Sequence, residues 1–178
     1  ETNAVIGYTQ SDEITLILFS GDRKSAVYND GIKQKILSKL TGKCTSYFNE
    51  KRKDYLPSHN KVANFDCRIY QTPSLHDACV QLLWRENDAT KNSISMLAQS
   101  LFSHKSLQGL DGSQMQDKMM LEKGVNWNDL AARYKRGCYV KRIKVSKPFS
   151  QEELSSLPKN HNAHKNPNLI IEKNIVTE

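Results

Sequence analysis

The 178-residue chain predicts an α+β fold, an antiparallel sheet backed by helices, and three features carry that expectation. Residues 3–8 and 14–19 are short, β-branched and aromatic-rich, and they flank the polar stretch Gln10-Ser11-Asp12-Glu13, which reads as two strands joined by a tight turn. Ile32, Ile36, Leu40 and Cys44 recur every fourth residue, the period of a helix face. Phe65, Cys67 and Ile69 alternate with polar residues, the period of a half-buried strand.

Apolar content of 38% with 25% charge is that of a soluble globular protein long enough for one proper core. No run of eighteen apolar residues is present, so no transmembrane helix is expected, and no secretory leader is seen. Cys44, Cys67, Cys79 and Cys138 are scattered without paired spacing; they read as reduced, mostly buried thiols of a cytoplasmic protein rather than a zinc site. The chain enters a strand almost at once after Glu1-Thr2-Asn3, which leads us to expect that part of a domain lies upstream.

The formal charge is +7, and its distribution says more than its size. Residues 21–53 carry a net +6 and residues 133–147 a net +7, so the remainder is net −6. Two basic stretches on a mildly acidic body suggest a polyanion partner, nucleic acid first.

In order, residues 20–28 form a polar connection, and Asn29-Asp30 is placed to cap a helix running to about Asn49. Beside its apolar stripe runs the row Lys35, Lys39 and Lys43, suited to phosphates if it borders a site and to solvent otherwise. Residues 51–61 read as a charged loop before the strand at 64–70. Thr72-Pro73 starts a helix that buries Leu75, Cys79, Leu82 and Leu83. The order strand, strand, helix, strand, helix matches a ferredoxin-like β-α-β-β-α-β unit lacking its first strand and helix. Asp88-Ala89-Thr90 then caps a further helix with Ile94, Leu97, Ala98 and Leu101 on one face, and residues 102–112 are a loop. A short methionine-bearing helix at 113–123 ends at Gly124 as a C-terminal cap. Asn128 caps a helix at 130–134, Lys135-Arg136-Gly137 turns into a strand at 138–145, and Ser150 with Glu153 forms a capping box. From Lys159 onward the tail reads as loosely ordered, and its histidines make no metal site.

Chemistry centres on Asp12 and Glu13, which the first turn lifts to a sheet edge. On those residues alone a solvated turn is the commoner meaning, and a divalent metal the alternative. The motifs then accumulate: residues 8–13 (Tyr-Thr-Gln-Ser-Asp-Glu), 34–38, Asn64-Phe65-Asp66-Cys67-Arg68, Trp84-Arg85-Glu86-Asn87-Asp88, residues 124–129 and Lys135-Arg136-Gly137. In this order, to about Arg142, they resemble the tRNA(His) guanylyltransferase superfamily.

That resemblance implies a polymerase-like palm that adds nucleotides to the 5′ end of tRNA in the 3′-to-5′ direction. It implies two Mg²⁺ ions, ATP and GTP as substrates, tRNA as partner, a dimer or tetramer, and no membrane. Asp12 matches the second metal-binding aspartate, with Glu13 in a supporting catalytic role; Lys35 matches the helix lysine expected at triphosphate oxygens, and Ser11, Lys39 and Asn92 are assigned to the nucleotide with it. Lys43, Arg133, Lys135 and Arg136 are assigned to tRNA backbone. The family's first metal-binding aspartate sits in an Asp-Gly strand that does not precede Glu1, so this chain is expected to be an incomplete catalyst. Where a His-Ile-Asn-Asn sequence marks the eukaryotic enzymes, Thr90-Lys91-Asn92-Ser93 stands here, which favours templated 5′-end repair. A dedicated tRNA(His) guanylyltransferase and an inactive RNA-binding palm fragment are the alternatives. The expected organisation is a palm-like catalytic part at 1–110, a helical and basic part at 111–147, and a short helix with a loose tail at 148–178.

Overall fold

The computed structural model describes residues 2–21, 26–58, 60–166 and 168–177; Asp22, Arg23, Lys24 and Ser25 of the expected polar connection lie outside them. The chain divides into two compact units, one of residues 1–4 and 18–78, the other of residues 5–17 and 79–178.

In the second unit, β1 (Ile6–Gln10) and β2 (Glu13–Ile17) form the expected hairpin, with Gln10 opposite Glu13 as its last pair. β1 also pairs antiparallel with β3 (Cys138–Pro148), and β3 with β4 (Asn168–Thr177), giving the sheet order β2-β1-β3-β4. β4 occupies the tail expected to be loose. Its Leu169, Ile170, Ile175 and Val176 have strand propensity, and the open edge of β3 supplies the hydrogen-bonding partner that a lone segment lacks.

The longest correction concerns α2 (Leu75–Leu101), one uninterrupted helix of 27 residues where two were expected. Asp88 and Thr90 do not cap: Asp88 accepts from Asn92 Nδ2 at 3.2 Å, and the Thr90 hydroxyl donates back to the Glu86 carbonyl at 2.9 Å. Polar residues that favour caps also tolerate a helix interior when their side chains bond within the turn. The N-terminal cap falls two residues later than expected, with the Asp77 amide donating to Ser74 Oγ at 3.1 Å. Of the four apolar residues assigned to its first turns, Leu82 is buried while Leu75, Cys79 and Leu83 are exposed.

The core of this unit is built by Ile94, Ala98, Leu107, Met119 and Trp127. They come from α2, α3 (His104–Leu107, inside the expected loop), α4 (Gly112–Lys123) and the 3-10 turn Trp127–Asp129. α4 has the expected glycine stop, Gly124 at φ +65°, and an Asp111–Gln114 capping box. The turn at 127 is capped by Asn126 rather than Asn128, and α5 (Ala132–Lys135) has no side-chain cap. α6 (Gln151–Ser156) has the expected Ser150–Glu153 box, in which Lys147 and then the Ser150 amide hold the Glu153 carboxyl below its usual range.

In the first unit, α1 (Lys33–Tyr55) outruns its expected end by about two turns and absorbs half of the supposed loop. Asn29 and Asp30 do not cap it. They sit in the turn Tyr28–Gly31 with positive φ, and the Asn29 side chain instead accepts from Lys39 Nζ at 2.7 Å. Residues 65–70 show the expected alternation of exposure, but no described strand pairs with them. Their backbone is fastened to α1 by side chains: the Phe65 amide donates to Thr45 Oγ1 at 3.2 Å, and Asn49 exchanges two bonds with Ala63 at 2.7 and 2.9 Å. The four cysteines are free thiols, with three half-buried rather than buried and Cys79 exposed. Among the described residues no helix is long and apolar enough to cross a membrane.

Candidate functional site

With Gln10 paired to Glu13, the hairpin leaves a loop of only two residues, Ser11 and Asp12. Ser11 takes φ +51°, a left-handed conformation that costs a non-glycine residue about 1–3 kcal/mol. The Thr9 hydroxyl closes the turn by donating to the Glu13 carbonyl at 3.1 Å. The turn thus holds Ser11, Asp12 and Glu13 exposed at the sheet edge, as the sequence implied.

Along α2, Arg85, Asp88, Asn92, Ser95, Met96 and Gln99 fall at steps of three and four, one face of the helix. This face and the hairpin tip line an open cleft of about 310 Å³. Ser11, Asp12, Glu13 and Asn92 are therefore brought together. Arg85, Asp88, Ser95, Met96 and Gln99 were missed because the expected break at Asp88 hid their common face.

Arg85 forms an ion pair with Glu13. Its neighbour Glu86 accepts from the Tyr139 hydroxyl at 2.8 Å, so consecutive residues of α2 are tied to β2 and β3. Tyr139 stacks at 4.8 Å on Tyr8, whose hydroxyl donates to the Arg136 carbonyl at 2.6 Å. Burial, followed by the bond to Glu86 and its charge, pushes the Tyr139 phenol well above the ordinary range; burial first and Glu86 second raise Tyr8 as well. Because both folded values lie above 10.0, the stability they contribute is complete below pH 10 and is lost as pH rises through them. In an alkaline absorbance titration we expect a late-ionising tyrosine fraction that coincides with loss of sheet signal and shrinks in Tyr139→Phe. An unchanged late fraction in that variant would contradict the assignment.

Lys35, Lys39 and Lys43 lie on α1 in the first unit, whereas the cleft lining is drawn wholly from the second. Of the residues assigned to RNA, Lys135 donates to the Asn128 carbonyl at 2.7 Å and lies 5.3 Å from the Trp127 ring centre. Arg133 lies 5.0 Å from the Tyr134 ring centre, and Arg136 offers its exposed side chain.

The two Mg²⁺ ions that the resemblance implies need several carboxylates converging within a few ångströms. Among the described residues no three His, Cys, Asp or Glu side chains form such a group. Glu13 is engaged by Arg85 and Asp88 by Asn92, which leaves Asp12 as a single donor. These residues do not by themselves fit a two-ion centre.

The sequence model of the family described as Thg1, tRNAHis guanylyltransferase, matches residues 1–73. No curated relative matches the chain. Among solved structures, a bacterial tRNA(His) guanylyltransferase (Thg1)-like protein in complex with ATP is 41% identical with a TM-score of 0.73, over 79% of this chain and 61% of that one. Another such protein in complex with GTP is 29% identical with a TM-score of 0.66, over 98% of this chain and 62% of that one. The tRNA(His) guanylyltransferase of Saccharomyces cerevisiae, 21% identical with a TM-score of 0.65 over 78% and 66% of the two chains, shares the fold. This chain spans about three-fifths of the length of the first two structures. The α+β architecture, the Ser11-Asp12-Glu13 hairpin and these matches point the same way: the chain is similar to tRNA(His) guanylyltransferase-like proteins.

Proposed function

We propose that the chain is the nucleotide-handling part of a nucleotidyltransferase that extends the 5′ end of tRNA in the 3′-to-5′ direction, of the templated repair type. The observation that carries this reading is the cleft, which sets Ser11 and Asp12 of the hairpin opposite Asn92 of α2 in a chain similar to structures holding ATP and GTP. Amide and hydroxyl groups along α2 (Asn92, Ser95, Gln99) suit the hydrogen-bonding edges of a base or ribose, and Met96 adds an apolar contact. Thr90-Lys91-Asn92-Ser93, standing where the eukaryotic enzymes carry His-Ile-Asn-Asn, supports the repair reading over fixed guanosine addition. Of these, Ser93 is buried and its hydroxyl accepts from Trp127 Nε1, so it has a structural duty instead of a substrate one. Lys35 and Lys39 are proposed for triphosphate, and Lys43, Arg133, Lys135 and Arg136 for tRNA backbone. A cytoplasmic dimer or tetramer belongs to the same proposal.

A second reading, RNA binding without chemistry, is favoured by one observation, the lack of a metal-binding group among the described residues. One assay separates the two. The protein is given Mg²⁺, labelled nucleoside triphosphates and a tRNA lacking its first 5′ nucleotide, beside Asp12→Ala. Templated 5′ extension by the parent and none by the variant supports nucleotidyl transfer with Asp12 in the catalytic machinery. Extension by both removes Asp12 from it. If neither extends but both bind the tRNA with a steep salt dependence, the RNA-binding reading replaces the first.

A further inference from the structure

Three acids, Asp12, Glu13 and Asp88, line the cleft, and Arg85 is the one cation among its described lining residues. A triphosphate approaching that lining without metal is repelled by the three carboxylates and attracted by one full charge, Arg85. Yet Arg85 is engaged by Glu13, whose carboxylate, like a phosphate, presents two oxygens able to accept from the N–H groups of a guanidinium fork. We propose that Arg85 is the anion-binding residue of the cleft and that Glu13 is its resident stand-in: nucleotide binding exchanges the Glu13 carboxylate for a phosphate group. This inference rests on the nucleotide reading above, and it gives Glu13 a role in positioning a cation where the resemblance suggests help to a metal.

Two features make the exchange feasible. The Glu13 side chain is 53% exposed, so water re-solvates it on release, while Arg85 is only 25% exposed and stays in place. The guanidinium also lies 5.3 Å from the Trp84 ring centre, a contact that does not depend on Glu13.

The test is binding of a fluorescent ATP analogue in chelator, so that no metal contributes. Glu13→Gln should tighten binding about three- to fivefold by removing the competitor, and Arg85→Ala should weaken it roughly tenfold. In the double variant the gain from Glu13→Gln should vanish. Asp88→Asn is the charge control, since it removes one negative charge from the same lining without touching the pair. If Glu13→Gln tightens binding no more than Asp88→Asn does, or does so equally without Arg85, ordinary repulsion explains it and the exchange is refuted. If Glu13→Gln changes only Mg²⁺-dependent binding, Glu13 is a metal ligand and the proposal also fails. Nucleotide binding by the parent that ignores Arg85 overturns this inference alone, whereas no binding with or without Mg²⁺ overturns the nucleotide reading with it.

Discussion

Gly137→Ala should lower the melting temperature by roughly 5–15 °C, an expected loss of about 2–5 kcal/mol. Gly137 ends the Lys135-Arg136-Gly137 turn at φ +82°, where an L side chain is strained. A Cβ there would stand 2.5 Å from the Thr9 carbonyl oxygen and 2.8 Å from the Tyr8 hydroxyl. Neither neighbour moves freely, because Thr9 pairs with Cys138 in the sheet and the Tyr8 hydroxyl bonds the Arg136 carbonyl. Gly42→Ala is the internal control: it lies within α1 with nothing near its Cβ position, and the same substitution there should stabilise by about 0.5–1 kcal/mol. Opposite signs in thermal melts of the two variants would confirm that space and φ decide the outcome. Equal, small effects would mean that the β1–β3 contact yields without strain.

That turn illustrates what could be read from sequence and what could not. The Lys-Arg-Gly triplet was legible as a turn and as a family mark, because glycine and charge punctuate strands locally. Its tight seat against β1 was not, since it depends on Tyr8, 128 residues away from Arg136 in the chain. The hairpin, the α4 glycine stop and the Ser150–Glu153 box were also legible, each being decided within a few residues. The capping errors share one cause. Asp88, Thr90 and Asn29 have the chemistry of a cap, but a side chain that finds another partner does not end or start a helix. The mistake at Asp88 also concealed the site, because Arg85, Asp88, Asn92, Ser95 and Gln99 form one face only if α2 is continuous. The reverse error applies to residues 65–70, whose alternation was real but whose partner strand the sequence does not guarantee.

Trp127→Ala should have a comparable effect, about 3–5 kcal/mol of lost stability, because it empties the centre of the core. Trp127 is 6% exposed among Ile94, Ala98, Leu107 and Met119, and its indole N–H donates to Ser93 Oγ at 3.1 Å. That hydroxyl has the Thr90 carbonyl at 2.8 Å and the Lys135 carbonyl at 3.1 Å within reach, so one serine links α2, the 127 turn and α5. Trp127→Phe separates the two contributions: it keeps most of the ring packing and removes the donor, for an expected loss of about 1–2 kcal/mol. The other tryptophan, Trp84, is 59% exposed, so the blue-shifted part of the native fluorescence should disappear in either variant while the exposed component remains. Removing the ring also deprives the Lys135 ammonium of its aromatic neighbour, though its bond to the Asn128 carbonyl remains possible. A variant that binds tRNA less tightly would therefore report a disturbed scaffold and not a lost base contact. The check is Ser93→Ala, which leaves the ring in place: if it reproduces the Trp127→Phe loss and the double variant adds nothing further, the two residues act as one link. Full additivity would mean that the hydrogen bond contributes nothing and that packing alone holds the turn.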